Sequence, residues 1–210
     1  MDLEEVQEFA VKVARDAGDL IRQYRAKADL SHFFKQGTEL VTDADLAADQ
    51  FISGKISERF PEHLIVSEES APDTSAIQDI KGPFWIVDPI DGTVNFAHGH
   101  NQSAVSIAFI NDQQVVLGVV FNPFTDEIFT AKKGQGAFLN GNPIRVAEES
   151  RIRRAIIATG FPYEKSNLEP MIKRLRAVLT NCADIRRLGS AALDICWVAS
   201  GRLDGYYESL

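Results

Sequence analysis

The sequence predicts a mixed α/β protein, because three different patterns follow one another along the chain. Apolar residues recur at helical spacing from Leu3 to Tyr24, which indicates a long amphipathic helix. The region from Ala104 to Leu139 contains short apolar runs typical of an antiparallel meander, and Asn140-Gly141 then forms a strong hairpin-turn signal. From Arg154 onward the pattern alternates between strands and helices.

The individual elements follow from local signals along the chain. Thr42 and Asp45 have the form of a capping box at the start of a second helix, and Gly201 ends the last helix. The predicted helices are Leu3–Tyr24, Leu46–Phe60, Leu168–Leu179 and Ser190–Ala199, and the predicted strands are His63–Val66, Phe84–Val87, Ala104–Ile110, Val115–Phe121, Glu127–Ala131, Ala137–Leu139, Arg154–Ala158, Ala183–Arg186 and Leu203–Tyr207. We expect residues 1–150 to form an N-terminal α+β layer with the candidate site, and residues 151–210 to begin a C-terminal α/β layer in the same compact unit.

Composition narrows the function classes. The 210 residues are 45% hydrophobic and 25% charged, which is enough apolar material for a packed core. A formal net charge of −8 argues against nucleic acid or an anionic membrane as the main partner. No apolar stretch approaches the ~18 residues of a membrane helix, and the N-terminus does not have the pattern of a signal peptide, so we expect a cytoplasmic protein.

The most informative motif is Asp88-Pro-Ile-Asp91-Gly-Thr93, which directly follows the apolar strand Phe84–Val87. We expect Pro89 to stop the strand ladder and Gly92-Thr93 to turn into a helix whose first N–H groups favour an anion. Carboxylates beside an anion would repel it unless cations lie between them, and oxygen ligands alone suit Mg²⁺. The alternative is an Asp-rich turn with a helix cap.

Two further acidic stretches could join this motif. The strand His63–Val66 also ends in carboxylates, at Glu68 and Glu69, and ligand sites in open α/β sheets gather at strand ends. Glu68 could therefore meet Asp88 and Asp91 in one cleft. Thr42 and Asp45 form the third stretch, although capping alone would explain both residues.

The complete set of motifs resembles the inositol monophosphatase family, in its bacterial branch. The resemblance extends in order over essentially the whole chain, and its most specific element is the Asp-Pro-Ile-Asp-Gly-Thr motif. The matching segments are Leu40-Val41-Thr42 with Asp45, Glu68-Glu69-Ser70, Trp85 to Phe96, Gly134 to Gly141, Gly189-Ser190-Ala191-Ala192 and Tyr206-Tyr207-Glu208.

The resemblance implies a layered α/β/α/β/α sandwich of the inositol monophosphatase and fructose-1,6-bisphosphatase type. It implies Mg²⁺-dependent hydrolysis of a phosphate monoester by water, most simply of inositol 1-phosphate. The first Mg²⁺ would be held by Glu68, Asp88 and the Ile90 carbonyl, and a second by Asp88, Asp91 and an aspartate of a Trp-Asp element. A third, weaker Mg²⁺ would lie near Glu68.

The resemblance also implies roles around the metals. Asp45, hydrogen-bonded to Thr93, would help that hydroxyl to activate the attacking water, so that Asp45, Glu68 and Thr93 are the candidate catalytic residues. The N–H groups of Gly92 and Thr93 would hold the phosphate. Ring hydroxyls of a polyol would be read by Glu208 and by the turn at Gly189, Ser190 and Ala191. For Ser190 the alternative is a helix cap, and for Glu208 an exposed edge acid.

Further expectations come with the family. These are inhibition by lithium, a homodimer, and a lysine near the phosphate at Lys35, for which the alternative is a solvated lysine in a loop. In one respect the chain departs from the family pattern. Family members continue from the Tyr-Tyr-Glu segment into the Trp-Asp element, whereas this sequence stops at Leu210, so we expect a fragment of a longer product. Other candidate substrates are fructose-1,6-bisphosphate, histidinol phosphate and 3′-phosphoadenosine phosphates, and the alternative class is a non-catalytic binding protein on the same scaffold.

Overall fold

The computed structural model describes residues 2–27, 32–35, 39–70, 77–162 and 166–208. Within these residues the chain forms five α-helices and twelve strands. The helices are α1 (Leu3–Arg25), α2 (Asp43–Arg59), α3 (Thr93–Ala97), α4 (Glu169–Leu179) and α5 (Ala191–Ala199). The strands are β1 (His32–Lys35), β2 (Glu39–Thr42), β3 (Leu64–Ser67), β4 (Phe84–Asp91), β5 (Ala104–Asn111), β6 (Gln114–Asn122), β7 (Glu127–Lys132), β8 (Gly136–Leu139), β9 (Asn142–Pro143), β10 (Ile156–Thr159), β11 (Asp184–Arg186) and β12 (Gly205–Tyr207).

The larger sheet has seven strands in the order β3-β4-β5-β6-β7-β8-β9. Strands β3 and β4 are parallel, and every later pair is antiparallel, as the predicted meander requires. The turn between β8 and β9 is made by Asn140 and Gly141, both with positive φ (48° and 78°), which is the conformation that an Asn-Gly hairpin favours.

Helices α1 and α2 cover one face of this sheet and enclose the main core. Asp2 caps α1 by accepting a hydrogen bond from the Glu4 N–H group, and the apolar stripe of the helix faces inward. The largest fully buried side chains of this core include Trp85, Phe96, Phe109 and Phe121. No helix in the described ranges is both long enough and apolar enough to cross a membrane.

Strands β1 and β2 pair as a separate two-stranded antiparallel sheet. Helix α5 lies between the seven-stranded sheet and a smaller, three-stranded sheet. It packs against β5 and β6 of the larger sheet and against β10 and β12 of the smaller one. Leu193 of α5 is completely buried in a second apolar cluster with Ala104 and Phe129. The smaller sheet is parallel, in the order β11-β10-β12, and α4 connects β10 to β11. The predicted α/β class is confirmed, with helices, a sheet, a helix and a second sheet in successive layers.

Pro89 does not end its strand as predicted. Strand β4 continues to Asp91, and its pairing with β5 passes from Asp88 opposite Ser106 to Asp91 opposite Ala104. Three steps on β4 therefore match two steps on β5, which is a β-bulge. A bulge tolerates proline because it needs no ladder hydrogen bond there, and it turns the side chains beside it. Two predicted strands also begin two residues later than expected, at Ile156 and Gly205.

Candidate active site

The parallel pairing of β3 and β4 brings two of the predicted acidic positions to one edge of the sheet. Ser67, the last residue of β3, is opposite Val87. Glu68 follows directly, and its N–H group donates a hydrogen bond to the Val87 carbonyl at 3.2 Å. Glu68 is therefore fixed beside Asp88, as expected for two strands that end at the same edge.

Asp88 is the residue most strongly affected by this arrangement. Burial raises its pKa well above the ordinary value, and the nearby carboxylates of Glu68 and Asp91 raise the pKa further. The Glu68 carboxyl group lies within hydrogen-bonding range of the Asp88 carboxyl. Asp88 Oδ1 is buried and, among the described residues, has no hydrogen-bond partner. A buried carboxylate oxygen without a partner is costly unless something binds it.

These donors fit a hard divalent cation. Two neighbouring carboxylates, of which Asp88 has a buried oxygen without a partner among the described residues, would gain a charge partner and a ligand from Mg²⁺. No cluster of three or more acidic, histidine or cysteine side chains stands ready to hold a metal in the described part of the chain. The first predicted set does not require one, because it consists of two carboxylates, Glu68 and Asp88, with the Ile90 carbonyl. The second predicted set would require one, since it combines Asp88 and Asp91 with a further aspartate.

Asp45 makes both of the contacts that the sequence left open, the capping box and the hydrogen bond to Thr93. Its Oδ2 accepts hydrogen bonds from the Thr42 N–H group at 2.8 Å and the Thr42 hydroxyl at 2.5 Å, which completes the capping box. Its Oδ1 accepts a hydrogen bond from the Thr93 hydroxyl at 2.9 Å. Asp45 is only 1% exposed, and burial raises its pKa to about 6 despite these hydrogen bonds. The carboxylate thus connects the start of α2 with the start of α3.

Asp91 connects the two layers of the molecule. Its Oδ2 accepts hydrogen bonds from the Ser190 hydroxyl at 2.5 Å and the Ala192 N–H group at 2.7 Å. Burial raises the pKa of Asp91, and these hydrogen bonds oppose the rise. The Ser190 hydroxyl also accepts from the Leu193 N–H group at 3.3 Å, so Ser190 does cap α5. The contact of Ser190 with a substrate stays a prediction.

The backbones of the two layers meet at a pair of glycines. Gly92 has φ 94° and Gly189 has φ 87°, which favours glycine at both positions. A Cβ atom on Gly92 would lie 2.7 Å from the Gln102 carbonyl oxygen and 3.0 Å from the Gly189 carbonyl oxygen. Asn95 holds the junction together, because its side-chain amide donates to the carbonyls of Gln102 and Leu188, both at 2.7 Å.

Glu208 lies at the outer end of this junction. The Tyr206 hydroxyl donates a hydrogen bond to its carboxylate, and the carboxylate packs so closely on Gly160 that a Cβ there would overlap it. Burial raises the pKa of Tyr206, and the hydrogen bond to Glu208 raises it further. A solvent-open cleft of about 390 Å³ runs from Asp91 to Glu208, and Gly189, Ser190 and Ala191 also line it. Glu208 is exposed at the mouth.

The same cleft is lined by Asp194, which sequence reasoning missed. Asp194 is 1% exposed, and its Oδ1 has no hydrogen-bond partner within the described chain. Burial raises its pKa to about 7, with the Asp91 charge adding to the rise and Arg187 opposing it. The available signal was an acidic residue inside the otherwise apolar segment Ala191–Ala199.

The candidate residues therefore form two groups, the strand-end wall and the α5 wall. The strand-end wall consists of Asp45, Glu68, Asp88, Ile90, Asp91, Gly92 and Thr93, and the α5 wall consists of Gly189, Ser190, Ala191, Asp194 and Glu208. Every residue of the α5 wall lines the cleft, whereas Asp91 is the residue of the strand-end wall that does so. Asp91 joins the two walls through its hydrogen bonds to Ser190 and Ala192. Lys35, predicted near the phosphate, has a side chain outside the described residues.

Such an arrangement defines a class of protein, a layered α/β sandwich with an acidic site at its strand ends. The particular family is shown by comparison with known proteins. Residues 2–210 match the model of the inositol monophosphatase family, and the chain belongs to that family.

Three relatives illustrate the similarity. Nus factor SuhB from Pasteurella multocida is 39% identical over 202 residues, which are 95% of this chain and 74% of that protein. Inositol monophosphatase 3 from Solanum lycopersicum is 39% identical over 211 residues, covering 98% of this chain and 77% of that protein. The crystal structure of the extragenic suppressor protein SuhB from Bartonella henselae superposes with a TM-score of 0.89 at 37% identity, covering 98% of this chain and 79% of that one.

Proposed function

We propose that this protein is a Mg²⁺-dependent phosphatase that hydrolyses inositol 1-phosphate to inositol and phosphate. The observation that carries the proposal is the contact between the Glu68 and Asp88 carboxyl groups beside the Asp45–Thr93 hydrogen bond. A charge-binding group and a water-activating group thus stand at the same strand ends. Membership of the inositol monophosphatase family supports the phosphatase class.

The carboxylates of Glu68 and Asp88 and the Ile90 carbonyl would hold the first Mg²⁺, and Asp88 with Asp91 would contribute to a second. When bound, Mg²⁺ supplies positive charge that polarises the phosphate ester and lowers the pKa of the attacking water. Of these two sets of ligands, only the first has all of its predicted members among the residues named here. We expect a third ion near Glu68 to bind more weakly.

Thr93 is proposed to orient the attacking water. Its hydroxyl donates to Asp45 Oδ1 at 2.9 Å and has the Ile90 carbonyl oxygen as a second, longer acceptor at 3.1 Å. The lone pairs of the hydroxyl oxygen remain available to accept a hydrogen bond from water. Asp45 can take up the proton that the water loses, through the Thr93 hydroxyl, since its second oxygen is already fixed by the capping box. The hydrogen bond to Asp45 also selects the orientation of the Thr93 side chain.

The substrate is proposed to bridge the two walls. The N–H groups of Gly92 and Thr93 would hold the phosphate, since N–H groups at the start of a helix have no carbonyl partner within it. On the α5 wall, Glu208 and the turn from Gly189 to Ala191 would contact ring hydroxyls. An exposed carboxylate at the cleft mouth suits a polyol, because it accepts hydrogen bonds from neighbouring hydroxyl groups.

The experiment is phosphate release by the purified protein. We expect turnover of inositol 1-phosphate with Mg²⁺, loss of turnover in EDTA, and recovery when Mg²⁺ is restored. Fructose-1,6-bisphosphate, histidinol phosphate and 3′-phosphoadenosine phosphate serve as the comparison panel. A higher kcat/KM for one of these would change the substrate but keep the reaction, whereas no phosphate release from any of them with Mg²⁺ would refute the proposal. Family membership also leads us to expect lithium inhibition and a homodimer.

A non-catalytic binding role on the same scaffold is the alternative. It is favoured by the name of the Pasteurella multocida relative, Nus factor SuhB, which does not refer to phosphatase activity. Against it, Asp88 has a buried oxygen without a hydrogen-bond partner among the described residues, which binding to another macromolecule does not require. The phosphate-release assay separates the two roles.

A further inference from the structure

Two aspartates of helix α2 accept hydrogen bonds from residues at or just after the ends of two strands. Asp45 and Asp49 lie one helical turn apart, so their side chains are on the same face. Asp45 accepts a hydrogen bond from Thr93, which follows β4, and Asp49 Oδ1 accepts one from the Ser67 hydroxyl at the end of β3. Both aspartates are buried, at 1% and 5% exposure, and Ser67 is 1% exposed.

The contact between Asp49 and Ser67 is adjacent to a predicted metal ligand. Glu68 follows Ser67 in the chain, and its N–H group donates to the Val87 carbonyl. The peptide that carries Glu68 is therefore held on one side by α2, through Ser67, and on the other side by β4. With both sides fixed, the Glu68 side chain can leave the backbone only in a narrow range of directions.

A merely structural role does not account for a carboxylate at this position. Asp49 also accepts a weaker hydrogen bond from the Ser53 hydroxyl at 3.4 Å. Burying a carboxylate costs free energy that an apolar contact between α2 and β3 would avoid. Metal ligands, by contrast, are regularly held in place by hydrogen-bonded partners behind them.

We propose that Asp49 is a positioning residue that fixes Glu68 for Mg²⁺ binding by holding the Ser67 hydroxyl. The inference rests on the proposed function, since it takes Glu68 as a ligand of the first metal. The two aspartates of α2 then have separate roles. Asp45 orients the water-activating Thr93, and Asp49 orients Glu68, the metal ligand that follows β3.

The test is Mg²⁺ binding to the metal-free protein, measured by isothermal titration calorimetry. We expect Ser67→Ala and Asp49→Asn each to weaken the tightest Mg²⁺ site by about 10-fold or more, the usual effect of removing a group behind a metal ligand. Ser67→Thr, which keeps the hydroxyl, should restore most of the affinity. The matched control is Ser53→Ala, which removes a hydroxyl from the same carboxylate without touching β3, and it should bind within about twofold of wild type.

Melting in EDTA separates positioning from folding. If Asp49→Asn is too unstable to measure, Ser67→Ala, which removes a single oxygen, carries the test. Wild-type Mg²⁺ affinity in folded Ser67→Ala would overturn the inference, as would an equal loss of affinity in Ser53→Ala. A wild-type protein that binds Mg²⁺ but releases no phosphate would refute the proposed function alone and leave the role of Asp49 standing.

Discussion

The strand-end wall and the α5 wall are both acidic, but they are built differently. The strand-end wall grows out of the seven-stranded sheet, and its carboxylates Asp45 and Asp88 are buried, whereas Glu68 at its edge is exposed. The α5 wall depends on a three-stranded sheet and a nine-residue helix, and it ends in the exposed Glu208. The first wall is thus suited to fixed geometry and the second to variation. We expect the chemistry to depend on the strand-end wall, and the choice of substrate on the α5 wall.

The largest expected effect is on the strand-end wall, from Asp88→Asn. It removes the charge shared by the predicted metals, so turnover of inositol 1-phosphate should fall by at least about 100-fold at saturating Mg²⁺. The protein should stay folded because the side-chain shape is unchanged.

Asp112→Asn is the matched control for this variant, as it makes the same chemical change on the turn between β5 and β6. Its turnover should equal that of wild type. Phosphate release measures the turnover of both variants, and circular dichroism checks that both are folded. Near-normal turnover in Asp88→Asn would remove Asp88 from the mechanism.

Thr93→Ala should have the next largest effect. Loss of the hydroxyl should lower kcat by about 100-fold through loss of water orientation, while Mg²⁺ affinity stays close to wild type. Thr93→Ser should recover most of the rate. Single-turnover kinetics combined with Mg²⁺ titration checks this, and a loss of Mg²⁺ affinity equal to the loss of rate would make Thr93 part of the metal site instead.

Asp45→Ala distinguishes capping from catalysis. Both functions together predict a lower rate per folded molecule and a loss of stability. If Asp45 only caps α2, stability should fall by roughly 1 kcal/mol with the rate per folded molecule preserved. Melting and kinetics on the same sample separate these outcomes.

A smaller and more selective effect is expected on the α5 wall. Glu208→Gln should lower kcat/KM for inositol 1-phosphate by about 10-fold, because a lost hydrogen bond to a substrate hydroxyl is worth about 1.4 kcal/mol. A simple alkyl phosphate should change little. Equal losses for both substrates would mean that Glu208 supports the fold or the metals rather than the recognition of hydroxyl groups.

The smallest effect on turnover is expected from Asp194→Asn, which should act on stability. The pKa of Asp194 is about 7 in the folded chain against an ordinary 3.8, so the folded state binds more protons than the unfolded state between these values. Wild-type stability should therefore fall as pH rises through this window, and the cost should be fully present above pH 7.

The Asn variant has no such proton to lose. In EDTA, the advantage of Asp194→Asn over wild type should grow by at least about 1.4 kcal/mol between about pH 4 and about pH 8, which corresponds to one pKa unit. Urea unfolding at both pH values measures it. A difference that is the same at both pH values would show that Asp194 ionises normally.

What could be predicted from the sequence was mostly local. The apolar stripe of α1, the capping box at Thr42 and the Asn140-Gly141 turn each depend on residues a few positions apart. The resemblance also led us to expect the hydrogen bond between Asp45 and Thr93, but other contacts between distant residues were not predicted. The bond from Ser190 to Asp91 joins residues 99 positions apart, and that from Ser67 to Asp49 joins residues 18 apart.

The extension of β4 past Pro89 was not predicted from the sequence, for a different reason. A proline usually marks the end of a strand, but here the bulge between Asp88 and Asp91 removes the need for its N–H group. The same bulge sets the direction of the Asp88 and Asp91 carboxylates. The wrong prediction at Pro89 therefore concerns a residue that shapes the candidate site. Local rules fail most often where a structure departs from regular geometry to build a site.

The central claim is that the strand-end wall binds the catalytic metal, and anomalous diffraction from crystals loaded with Mn²⁺ tests it most directly. Mn²⁺ takes the same oxygen ligands as Mg²⁺ and scatters anomalously. We expect a strong peak within ligand distance of the Glu68 and Asp88 carboxylates and the Ile90 carbonyl. Strong peaks elsewhere with none at Asp88, in crystals that release phosphate when dissolved, would contradict the account.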